Sequence, residues 1–113
     1  MRTHRHIIQF PIFSGYKIHV VFTSDIAAAV KRVTKAEAPP DCAAWTVQDS
    51  EGFSTIILSH HPNAEVVAHE SFHAIYALMK WAGAALEEEV VAYHLGHVVG
   101  LITKWSRKYE KNA

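Results

Sequence analysis

The sequence predicts an α+β fold: a small β-sheet with one N-terminal helix, followed by a C-terminal helical hairpin. Three observations lead there. Two pairs of short β-prone segments, 7–10 with 16–22 and 45–48 with 53–58, are each joined by turn residues. Between the pairs, apolar residues recur at helical spacing, and after the second pair two longer helical stretches flank Gly83. The chain has 113 residues, half of them hydrophobic, so one packed domain spanning 1–113 is expected rather than a disordered chain.

In the segment 16–22, Tyr16, Ile18, Val20 and Phe22 alternate with Lys17, His19 and Val21, the period of a half-buried strand. Pro11 and Ser14-Gly15 supply the turn before it. Thr23 or Ser24 is a suitable helix cap, and Ile26, Val30 and Val33 form the apolar stripe of a helix from about Asp25 to Glu37. Pro39-Pro40 stops that helix. Asp49-Ser50-Glu51-Gly52 joins the second strand pair, with Gly52 free to take the positive φ of a tight loop. Pro62 or Asn63 opens a central helix that runs to about Trp81. It is apolar almost all round, which predicts burial on several sides. A last helix is expected from about Ala85 to Arg107, with a frayed basic tail beyond. Trp81 and Trp105 read as packing residues.

Formal net charge is zero, which argues against a general nucleic-acid binder. No apolar run is long enough to span a bilayer, and no apolar leader core follows Met1, so a cytoplasmic protein with no membrane partner is expected. The lone Cys42 fits a reducing compartment. Nine histidines are the unusual feature of the composition.

Two of them carry the chemistry. The central helix contains His69-Glu70-Ser71-Phe72-His73, an H-E-x-x-H pattern. Positions four apart share a helix face, so both imidazoles can meet one metal ion, with Glu70 beside it as general base. On an apolar helix these three polar groups would be buried and in need of partners, which a metal and a wet cleft supply. Zinc is the default ion for such a set, and it calls for a third protein ligand. Glu87-Glu88-Glu89 opens the next helix. Periodicity slightly favours Glu88, in line with the apolar Val91, Ala92, Leu95, Val99 and Ile102. Glu89 instead lies on a flank with Ala92, Tyr93, Gly96 and Gly100 that suits close helix approach. Glu87 is expected to serve the helix dipole from an outer face shared with His94.

The run H-E-S-F-H-A, a short break, and then E-E-E-V-V-A-Y-H-L-G resembles the gluzincin-type metallopeptidases over residues 66–102. It looks closest to the ImmA/IrrE-like group and to short phage-encoded metallopeptidase-like proteins. The resemblance implies a minimal zincin-like fold and a zinc-dependent hydrolase acting on a peptide or protein substrate. Glu89-Val90-Val91-Ala92-Tyr93 matches the E-x-x-A-Y form of the second helix, which makes Glu89 the third ligand and Glu88 the alternative. Tyr93 then stands where larger relatives carry an Asp that holds a metal-bound His, and a phenol can do that work. His94 and His97 are candidates for substrate or oxyanion contacts, or else surface histidines. His60 and His61 are candidates for the cleft rim. The strand 53–59 is expected to line the cleft and pair with an extended substrate. The rival expectations are a non-catalytic binding or assembly protein clipped by a metal, and a metal-free helical-hairpin interaction module. Oligomeric state is not encoded in any readable pattern.

Overall fold

A computed structural model of the chain describes residues 2–39, 41–84 and 87–111, with the backbone alone at 110 and 111. Its elements are β1 (Thr3–Gln9), β2 (Lys17–Thr23), α1 (Ile26–Thr34), β3 (Ala44–Gln48), β4 (Ser54–Leu58), α2 (Ala64–Ala82) and α3 (Glu88–Lys111). The four strands form one sheet in the order β1-β2-β4-β3. β1 and β2 are an antiparallel hairpin with Ile8 opposite Ile18, and β3 and β4 a second one with Thr46 opposite Ile56. The hairpins join through β2 and β4, which run parallel, so the sheet is mixed and α+β is the fold class.

Strand alternation decides what each face carries. Tyr16, Ile18, Val20 and Phe22 are fully buried beneath α2 and α3, together with Ile56 and Leu58. The opposite face presents Val21 and Ile57 to Ala29 and Val30 of α1. One helix therefore covers one side of the sheet and two cover the other.

Local chemistry sets the helix ends. Asp25 caps α1 by accepting the Ala28 N–H at 3.0 Å, and Lys35 closes it in the left-handed region. Lys35 stands four residues before Pro39; Pro40 itself lies outside the described residues. Asn63 caps α2 by accepting the Val66 N–H at 2.8 Å, and Gly83 ends it at φ 68°. Glu87 accepts the N–H groups of Glu89 and Val90 at 3.2 and 3.0 Å, and so caps α3. The expected start of that helix at Ala85 lies outside the described residues.

Three expectations need correction. α2 is buried along one face only, through Val67, Glu70, Ser71, Ala74, Ile75, Leu78 and Met79. Phe72 and Tyr76 are exposed, because the single sheet and α3 leave the far side of the helix uncovered. α3 does not fray after Arg107 but continues to Lys111, held by Tyr109, which packs on Phe22 and stacks on His4. The buried stripe of α3 centres on His94, Val98 and Ile102, and Ala92, Gly96 and Gly100 face outward. A Cβ at Gly96 or Gly100 would meet nothing within 4 Å, so these small residues do not mark a close helix approach. Among the described residues, no helix is long and apolar enough to cross a membrane.

Candidate metal and catalytic site

One α-helical turn places His69 and His73 side by side on the exposed side of α2, with Nε2 to Nε2 at 3.2 Å. Two imidazole nitrogens bound at about 2.0–2.1 Å to a tetrahedral zinc stand about 3.3 Å apart. The pair already has that separation, so it fits one edge of a zinc coordination sphere.

Glu70 turns the other way, toward the sheet, and is 8% exposed. Its Oε1 accepts a hydrogen bond of 2.7 Å from the Thr46 hydroxyl of β3, and its Oε2 stands 3.7 Å from His69 Nε2. A buried carboxylate is expensive without a partner, so the Thr46 bond both stabilises Glu70 and fixes its direction. Of the three side chains proposed for the chemistry, Glu70 is the buried one. Both histidines are exposed, contrary to the expectation that all three polar groups would be enclosed, because their side of α2 is uncovered.

The motif opens into a cleft of about 660 Å³ between α2 and the edge strand β3. Thr46 and Gln48 line one wall; Tyr76, Lys80 and Trp81 continue the other beyond His73. A second hollow of about 390 Å³ lies on the other side of Glu70, toward Asn63 and Glu65, and shares Ala44, Trp45, His69 and Glu70 with the first. A groove thus runs along α2 in both directions from the motif. Its strand is β3, not the expected segment 53–59. β4 is hydrogen-bonded to β2 on one side and β3 on the other, which leaves it no free edge.

The remaining candidates lie elsewhere. Glu88 and Glu89 are exposed in the first turn of α3 and line none of the described hollows. Among the described residues, no group of three or more His, Cys, Asp or Glu side chains is arranged to hold a metal ion. Tyr93 is 65% exposed, and its ring contact is with His94 at 5.2 Å. His94 is not on a polar outer face: it is 2% exposed, wedged by Phe10 and Phe13, with Nδ1 2.7 Å from the Val90 carbonyl. Its Nε2 has no hydrogen-bond partner among the described residues. His97 is exposed beside Phe10. His60 is buried in a separate cluster, with its Nε2 2.9 Å from His4 Nδ1, while His61 is exposed beside the hollow over α1.

Thr46, Lys80 and the rigid placement of Trp81 were not read from the sequence as part of a site. The available signal was strand alternation: Ala44, Thr46 and Gln48 share the face of β3 that looks at α2. Trp81 is 41% exposed yet packed from behind by Tyr16 at 5.1 Å and Phe53 at 6.0 Å. Gly52, at φ 88°, lets the β3–β4 turn lie against it: a Cβ there would stand 3.1 Å from Trp81 Cδ1. No family pattern, curated protein or solved structure matches the chain.

Proposed function

We propose that the chain is a minimal zinc-dependent hydrolase acting on peptide bonds. The observation that carries this reading is the convergence of His69 and His73 Nε2 at 3.2 Å, with a Glu70 carboxylate oxygen 3.7 Å from His69 Nε2 in an open groove. His69 and His73 would hold the ion. Glu89 is the proposed third ligand and Glu88 its alternative; that assignment rests on the motif pattern, not on the position of the first turn of α3. A zinc ion so held acidifies water and polarises a carbonyl oxygen.

The chain's own residues supply the remainder. Glu70 Oε2 takes a proton from water in the groove and returns it to the departing amine. Thr46 Oγ1 donates to Glu70 Oε1 and keeps the other oxygen turned toward the histidines. The outer edge of β3 is unpaired among the described residues, so it can bind an extended peptide through backbone hydrogen bonds across the motif. Glu70→Gln is expected to lower peptide hydrolysis by about 10²–10⁴ while zinc stays bound in equilibrium dialysis; hydrolysis at the wild-type rate in that variant contradicts the mechanism.

A second reading is supported by the exposed Phe72 and Tyr76 next to the motif: a non-catalytic binding or assembly protein in which the metal is a clip. It predicts bound zinc, a large fall in melting temperature on chelation, and no cleavage of any peptide library.

A further inference from the structure

The half of the groove beyond His73 differs in chemistry from the half at the motif. Its walls are Tyr76, Ala77 and Trp81, and among them stands the Lys80 ammonium, with no described ion-pair partner. Trp81 is a fixed surface, because Tyr16, Phe53 and the turn at Gly52 hold it from behind while its exposed part faces the groove. A large aromatic half in solvent and a cation unpaired among the described residues make a surface whose complement is an apolar side chain and a carboxylate.

The spacing makes the assignment specific. Lys80 lies seven positions after His73 on α2, or about 10 Å along the axis at 1.5 Å per residue. An extended chain covers that distance in about three residues at roughly 3.3 Å each. We infer that this half of the groove is a specificity subsite for a carboxylate about three residues from the bond to be cut, with a large apolar side chain between them against Trp81 and Tyr76. The carboxylate is either an Asp or Glu side chain or the free C-terminus of a short peptide. The inference rests on the peptide-hydrolase reading for the place of the scissile bond, but the subsite itself is tested by binding as well as by cleavage.

The test uses the full chain with added zinc and a set of extended peptides in which an aromatic position is followed by Glu, Gln or Lys, each with a free or an amidated C-terminus. Cleavage and equilibrium binding are both measured, on the wild type, Lys80→Met and Lys80→Glu. The wild type is expected to favour the carboxylate peptides about fivefold, Lys80→Met to lose that preference, and Lys80→Glu to favour Lys peptides. Lys80 is exposed, so melting temperatures that match the wild type check that the variants fold. Loss of the preference on amidation alone assigns the carboxylate to a peptide C-terminus; dependence on Glu alone assigns it to a side chain. Cleavage with the same preference in all three proteins overturns the subsite and leaves the hydrolase reading intact. Charge-dependent binding without cleavage keeps the subsite and overturns hydrolysis, and failure to bind or cleave any peptide overturns both.

Discussion

Two pairs of histidines in this molecule bring ring nitrogens together, and they differ in everything else. His69 and His73 stand 3.2 Å apart on the exposed side of one helix; His4 and His60 stand 2.9 Å apart where a strand meets the loop after β4. The second pair is packed in: His60 is 6% exposed and His4 is half-buried. Tyr109 stacks on His4 at 4.4 Å and meets His60 edge-on at 5.1 Å, and the neighbouring His6 stacks on Trp105 at 4.2 Å while its Nε2 lies 2.6 Å from the Tyr109 hydroxyl. Those imidazoles act as polar pieces of a packed interface that pins the C-terminal turns of α3 to β1. Nearness of imidazoles therefore does not by itself make a site. What sets the helical pair apart is an open approach and a carboxylate, Glu70, aimed beside it from a buried position.

The contrast can be broken most sharply at Glu70. Its change to Gln should lower peptide turnover by about 10²–10⁴, with zinc uptake unchanged, whereas no substitution in the enclosed cluster should touch the chemistry beyond its effect on folding. The two pairs should next separate in opposite ways. His73→Ala is expected to abolish zinc uptake and, as a surface change, to move stability by no more than about 0.5 kcal/mol. His60→Ala should keep zinc uptake and cost roughly 1–3 kcal/mol in urea denaturation, because it leaves buried polar partners unpaired. Equal zinc affinity in the two variants would remove the distinction.

Thr46→Val should lower turnover about tenfold through misdirection of Glu70, with substrate binding little changed and with Thr46→Ser restoring the rate. The smallest effect is a pH dependence that arises in the enclosed cluster. Burial, then the charges of Lys108 and His4, hold His6 below the usual imidazole value; burial, then Arg2, His4 and His61, do the same for His60. The unfolded chain then takes up protons first as pH falls. Stability should be whole above about pH 6.5 and decline as pH drops through the two depressed values. Urea midpoints between pH 7.5 and 5 read this directly, and a midpoint that rises on acidification contradicts it.

Much of the fold was legible because strand alternation and helix caps are local signals. Tyr16 to Phe22, Asn63 and Gly83 announced themselves by period and residue type. The errors came from residues whose partners are distant in sequence. His94 looked like an outer-face residue, yet Phe10 and Phe13 of the β1–β2 turn enclose it, and that turned the predicted face of α3. The same rotation leaves Glu88 and Glu89 in solvent. β4 looked like the strand that receives a substrate, and only the parallel pairing with β2, invisible to local pattern, hands that place to β3. Of the site, the His pair and Glu70 follow from helical spacing alone. Thr46, Lys80 and Trp81 join it only through the packing of β3 and its turn against α2.

The central claim is that the helical pair, not the enclosed one, is the metal site of a hydrolase. Anomalous scattering at the zinc edge from crystals of the zinc-loaded protein tests it most directly. The account predicts a peak within bonding distance of Nε2 of both His69 and His73, in the groove between α2 and β3. A peak at His4 and His60, or none beside His69 and His73, would contradict it.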